Sequence, residues 1–180
     1  MAQMKILVTY GTWSGATKEV AEAIGKELSD KTTEVEVISA GDVKNISPYD
    51  AVLVGTSIHA SQVTGDFKKF LKKFHNELTQ KKLAYFVVCA NMLEDKETTR
   101  NETMGWLKKG LNGFEELQPV DIGLFAGAVL TEGEYYQKQN ILVKAVLGSM
   151  KTNLEKQYGK TDFRDWEKIS QWAKALKKML

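Results

Sequence analysis

The apolar positions along this chain change period repeatedly, and each change marks an element. Residues 6–8 form a short continuous apolar run. After a gap of small and hydroxylated residues, Val20, Ala21, Ile24 and Leu28 follow at i, i+1, i+4 and i+8. Such a succession predicts a strand, a tight loop and an amphipathic helix. Residues 34–39 alternate charged and apolar side chains, which predicts a strand with one wetter face at or near a sheet edge. Residues 41–49, with Pro48 as a breaker, read as loop. Residues 51–56 are apolar throughout, the mark of a parallel strand covered on both faces; the polar stretch from there to Thr64 reads as loop. Phe67, Phe70, Leu71, Phe74 and Leu78 then share one helical face and predict a core stripe.

The second half continues in the same style. Residues 83–90 predict another buried strand, and residues 91–99 a charged loop. Met104, Leu107 and Leu111 mark a helix ended by Gly113. Residues 120–126 predict a fifth strand, prolonged by residues 127–130. The last helix is expected to open at Asp162 as N-cap, with Asp165 near its positive end. Trp166, Ile169, Trp172, Ala173, Leu176 and Leu180 form its predicted buried face. Five strands alternating with helices predict one α/β domain over residues 1–180. It is a doubly wound parallel sheet of order 2-1-3-4-5. Ligands of such sheets lie beyond the carboxyl ends of the strands, where the strand order reverses. The loop at residues 11–17, the segment at residues 56–61 and the end of the fourth strand at residues 89–92 should therefore meet at one rim.

Composition narrows the classes. The chain has 180 residues, 43% hydrophobic and 27% charged, enough for a full core. A formal net charge of +2 gives no argument for nucleic acid. One Cys rules out a disulfide framework and fits a reducing compartment. Two His and one Cys are poor material for a metal centre. Met1 to Lys5 has no basic segment ahead of a long apolar run, and no stretch has the ~20 apolar residues of a membrane span. The expectation is a cytoplasmic protein.

The chemistry concentrates after the first strand. Gly11, Thr12, Trp13, Ser14, Gly15, Ala16 and Thr17 lead into the helix. Helix-start amides lack intrahelical partners and carry the positive end of the dipole. The two glycines let a ligand approach the backbone, the three hydroxyls add donors, and no carboxylate intrudes. A phosphate monoester suits such a loop. Neither the Gly-x-x-x-x-Gly-Lys-Ser/Thr pattern nor Gly-x-Gly-x-x-Gly is present, which argues against a nucleoside triphosphate or a dinucleotide. A receiver domain of the same fold would need acidic residues after the first and third strands, and here Thr9-Tyr10 and Gly55-Thr56 stand there. The pattern Thr12-Trp-Ser-Gly-Ala-Thr17 resembles the FMN-phosphate loop of flavodoxins. The resemblance implies non-covalent FMN, with its ring between the second and third loops. Thr56, Ser57, Ile58 and His59 on one side, and Cys89, Ala90, Asn91 and Gly127 on the other, are then the expected contacts. Competing readings stand beside several of these. The alternatives for the loop are a turn whose Thr and Ser only cap the helix, or a different phosphate held in a flavin-free α/β module. Trp13 is either a cover for the flavin or a surface aromatic, His59 either a flavin contact or an exposed loop residue, and Cys89 a small core residue rather than a nucleophile.

Residues 131–161 are an insert that a minimal five-strand sheet does not need. Tyr135, Ile141, Leu142, Ala145, Val146 and Met150 define one side of a helical segment there, with Lys138, Lys144 and Lys151 largely elsewhere. It reads as a helix packed over the sheet, or as a lid or apolar surface for an acceptor or a membrane face. Residues 49–59, the Phe-rich stripe, Phe125-Ala-Gly-Ala128 and Thr161-Asp-Phe-Arg-Asp-Trp166 resemble the flavodoxin-like menaquinone-dependent protoporphyrinogen dehydrogenases. That resemblance spans nearly the whole chain and implies non-covalent FMN passing electrons from a porphyrinogen to a quinone; a flavodoxin-domain electron carrier would instead meet a partner protein. The sequence departs from that family in two places. His59-Ala60-Ser61 is lean where those enzymes carry aromatic and basic residues. The insert has Glu132, Glu134 and scattered Lys in place of Arg, the residue suited to propionates or anionic lipid.

Overall fold

A computed structural model describes residues 3–180, so part of the stretch from Met1 to Lys5 lies outside the described residues. In chain order the first half comprises β1 (Met4–Gly11), α1 (Ala16–Leu28), β2 (Thr33–Ser39), β3 (Ala51–His59), the short β4 (Gln62–Val63), α2 (Gly65–Lys73) and α3 (His75–Leu78). The second half comprises β5 (Lys82–Cys89), a 3-10 turn (Ala90–Leu93), α4 (Glu97–Gly110), β6 (Asp121–Ala126), α5 (Gly133–Gln137), α6 (Ile141–Tyr158) and α7 (Trp166–Lys177). The main sheet runs β2-β1-β3-β5-β6, all parallel. With the two-residue β4 set aside, this is the expected 2-1-3-4-5 order.

Period-two alternation splits the strand side chains between two cores. Ile6, Val8, Leu53, Phe86 and Val88 pack with Val20, Ile24 and Leu28 of α1 and Ile169, Ala173 and Leu176 of α7. Leu7, Val52, Val54, Tyr85 and Val87 face the other way, onto Phe67, Phe70, Leu71, Phe74, Leu78 and Leu107. The central strands have both faces covered, which is why they read as continuous apolar runs. The Phe-rich stripe is buried as expected, but on two helices: the backbone breaks at Phe74 (φ −109°, ψ 17°).

Several boundaries differ from the sequence reading. Residues 56–59 are strand, because Ile58 and His59 pair with Val63 and Gln62 across a hairpin. Its two central residues, Ala60 and Ser61, both have positive φ (46° and 60°), the backbone a type I′ turn requires. The charged loop at residues 91–99 is instead a 3-10 turn and the start of α4. β6 stops at Ala126, since its partner β5 ends at Cys89; residues 127–130 leave the sheet, and Ala128 bridges Asp162. Asp165, not Asp162, caps α7, accepting from the Lys168 amide at 3.0 Å. Asp162 is instead occupied by Arg164, whose buried guanidinium also pairs with Glu19 of α1 at 2.7 Å. Trp166 is turned outward, 43% exposed, under that guanidinium. Leu180 lies beyond the end of α7. In the insert, Ile141 and Leu142 are 82% and 75% exposed and Val146 is also exposed, whereas Leu147 is the buried residue of α6. The apolar side read from the sequence therefore faces solvent for half its length.

Phe86 is fully buried in the central strand β5, against Trp172 of α7. Phe86→Ala should lower unfolding free energy by about 3–5 kcal/mol, read from urea denaturation. A loss under about 1 kcal/mol would mean that this core layer does not close on the sheet as described.

Candidate functional site

The carboxyl ends of β1, β3 and β5 open into a cleft. Its first wall is the loop that turns β1 into α1. Gly15 takes the N-cap position with φ +102°, a left-handed conformation that disfavours any side chain. Its amide donates to Thr12 Oγ1 at 3.1 Å, which closes the loop. No side chain caps α1, so the amides of its first turn have no intrahelical acceptor. Ser14 and Thr17 are buried, and Thr17 Oγ1 has no hydrogen-bond partner. Thr12, Trp13, Ser14, Ala16 and Thr17 all line the cleft.

The second wall is the end of β3. Ser57, Ile58 and His59 line it, and Ser57 Oγ is again buried and unpartnered. The His59 ring stacks on Trp13, with centroids 3.4 Å apart and a tilt of 32°. Trp13 thus both packs on the neighbouring loop and borders the cleft. Burial holds the His59 imidazole below its ordinary pKa, so it is neutral at pH 7. Cys89, Ala90 and Gly127 form the third wall. Cys89 is a core residue whose thiol is pushed up by burial and stays protonated at neutral pH.

Four predicted site residues do not line the cleft. Gly11 is the last residue of β1, paired with Thr56. A Cβ there would fall 2.0 Å from Thr64 Oγ1, so glycine permits the hairpin to close over the strand end. The Thr56 hydroxyl accepts from the Thr64 amide at 3.0 Å and donates to the Ser57 carbonyl at 2.8 Å, which makes it a hairpin brace. Gly15 acts through its backbone. Asn91 turns its amide toward α4, donating to the Thr99 carbonyl at 3.0 Å and to Thr103 at 3.2 Å, away from the cleft. A fourth wall comes from the insert, for which a lid was one of the two sequence readings. Leu147, Met150 and Leu154 of α6, with Thr161 and Phe163, close the cleft from the insert side. Met150 belonged to the expected apolar side; Leu147 and Leu154 fell outside it, because that side was drawn through Ile141, Leu142 and Val146.

Among the described residues, no carboxylate, Lys or Arg lines this cleft; the titratable ones that do are His59 and Cys89. An anion here is met by dipoles and hydroxyls. Two unpartnered buried hydroxyls and an uncapped helix N-terminus fit a phosphate monoester attached to a flat, largely apolar ring. Among the described residues there is no His/Cys/Asp/Glu cluster able to hold a metal, and no helix is long and apolar enough to cross a membrane.

Comparison with known proteins agrees with this geometry. The profile of a family described as a flavodoxin domain matches residues 7–160. The chain belongs to that flavodoxin-domain family. A curated relative, protoporphyrinogen IX dehydrogenase [quinone] of Leishmania major, is 27% identical over 94% of this chain and 73% of its own length. A flavodoxin of Synechocystis is 26% identical over 84% of this chain and 98% of its own. Among solved structures, oxidised Flavodoxin 2 from Bacillus cereus covers 98% of this chain and 99% of its own, with a TM-score of 0.57 at 18% identity. That neighbour shows the fold. FMN is the cofactor of the family, and this flavodoxin-domain chain is an FMN-binding redox protein.

The depressed His59 value can be checked directly. An NMR titration of its Cε1 proton should give a midpoint below 6.5, because the fold disfavours the imidazolium. By linkage, the His59 contribution to stability is full above pH 6.5 and declines as pH falls below it. A midpoint at or above that value would contradict the packing of His59 on Trp13.

Proposed function

We propose that this chain, acting as one domain, passes electrons through FMN to or from a flat, apolar small molecule of the quinone or porphyrinogen class. The observation that carries this reading is the apolar wall of α6, Leu147, Met150 and Leu154, facing the hydroxyl loop across the cleft. Bound FMN supplies one- and two-electron redox chemistry. The protein's part is to hold, orient and shield. Thr12, Ser14, Thr17 and the first amides of α1 hold the phosphate without a cation. Ser57, Ile58 and His59, with the backbone at Cys89, Ala90 and Gly127, border the ring and set its polarity, and a neutral His59 adds no positive charge. Leu147, Met150, Leu154 and Phe163 exclude water and give the second reactant an apolar seat.

The names of the relatives support the small-molecule reading over nearly the full chain. The exposed Ile141, Leu142 and Val146 sit on the same helix as the apolar wall, where a lipid-soluble quinone would arrive. The single buried thiol suits a cytoplasmic location, with membrane contact limited to that helix. A second reading, an electron carrier that meets a partner protein, is favoured by the match to the Synechocystis flavodoxin over 98% of that protein.

Purified protein should be yellow and release FMN on heating. Reduced protein should be reoxidised by members of a quinone panel at rates well above those of free FMN; a rate equal to free FMN, with fast reoxidation by small redox proteins, would favour the carrier. The double variant Thr12→Asp/Thr17→Ala should lose FMN through repulsion and missing donors while circular dichroism stays unchanged. Undiminished FMN affinity in that variant would overturn the loop assignment.

A further inference from the structure

The insert does more than wall the cleft: it reaches back and holds the loop that would hold the phosphate. Tyr135 of α5 shares a hydrogen bond with Tyr10, hydroxyl to hydroxyl at 3.0 Å, across a sequence separation of 125. Tyr10 is buried one residue before the end of β1. Just beyond α5, Gln139 Nε2 donates to the Trp13 carbonyl at 2.7 Å. A Cβ added at Gly15 would touch the Tyr135 ring at 3.6 Å and Leu130 at 3.8 Å, so the insert packs directly on the helix N-cap. Three successive parts of the loop, the strand end, the Trp13 carbonyl and the Gly15 cap, are each contacted by the same short segment.

A loop of small residues has many conformations, and only one aims its amides and hydroxyls at a common point. Fixing it before binding removes that ordering cost from the association step. Neither Tyr135 nor Gln139 lines the cleft itself. We infer that Tyr135 and Gln139 are positioning residues that preorganise the phosphate loop, so that in this chain FMN affinity depends on the insert as well as on the loop. The inference rests on the FMN site proposed above and adds that the insert acts on the phosphate end of the cofactor. The apolar wall of α6, by contrast, acts on the ring end.

Riboflavin has the same ring and lacks the phosphate, which separates the two ends. Dissociation constants for FMN and riboflavin should be measured by fluorescence titration on the parent, Tyr135→Phe, Gln139→Ala and the double variant. Tyr135→Phe keeps the ring on Gly15 and removes only the hydroxyl, and thermal melting of the flavin-free forms verifies folding. The expected result is FMN binding weaker by about 3- to 10-fold in each single variant, and by about tenfold or more in the double, with riboflavin affinity unchanged. FMN affinity within about twofold of the parent in the double variant would overturn the inference, as would equal losses for both ligands, since a purely structural role lowers both. A parent protein that binds neither ligand would instead fail the site reading itself.

Discussion

β1 is hydrogen-bonded along its length to β2 on one side and β3 on the other, with Tyr10 opposite both Ser39 and Gly55. Nothing at the end of such a strand can drift. The turn that follows has only Thr12 to Gly15 before α1 begins, and α1 is in turn pinned to the sheet by Val20, Ile24 and Leu28. The uncapped amides of α1 are therefore delivered to one place by two rigid elements and a short connection. Where another site would recruit Lys or Arg for an anion, this one relies on dipoles and hydroxyls. The absence of charge among the cleft's lining residues means that its power to hold an anion comes from geometry.

The remaining walls are built on the same logic of rigid support. Ser57 to His59 are held as strand by the β3–β4 hairpin, braced by Thr56 on Thr64 and allowed to close by the bare backbone of Gly11. Cys89 and Ala126 are the last paired residues of β5 and β6, so Ala90 and Gly127 leave the sheet side by side. Trp13 and His59 join the first wall to the second through their stacked rings. Arg164, bound to Glu19 and Asp162, ties the entry of α7 to α1 on the far side of the loop.

Much of this was legible from residue order. The two-sided burial of the central strands, the change of period into α1 and the hydroxyl pattern from Thr12 to Thr17 all carry strong local signals, and the strand order follows from connection rules. What was hidden depends on pairing or on competition between neighbours. Ala60 and Ser61 give no glycine signal for a hairpin, so the strand that continues to His59 looked like loop. Asn91 looked free for a ligand because its partners, Thr99 and Thr103, lie on a helix whose start was read as loop. Asp162 and Asp165 are equally good caps by composition; in the fold Asp165 caps α7 while Asp162 holds Arg164. The apolar side read on α6 joined Met150, which lines the cleft, to Ile141, Leu142 and Val146, which face solvent, because hydropathy cannot tell a buried face from an exposed one when the helix lies at the edge of the fold.

The two ends of the insert meet just beyond the end of β6. The Val129 amide donates to the Thr161 carbonyl at 2.9 Å, and the Phe163 amide to the Gly127 carbonyl at 3.1 Å, so its two ends are zipped together. An excursion with touching ends can be lengthened at little cost, since each doubling of a flexible loop adds only about 0.6 kcal/mol of closure entropy. The part of the chain freest to be swapped as a cassette is thus the part that roofs the cleft. A common electron-handling base could be retooled for different reactants by exchanging its canopy, with the five-strand chassis left alone.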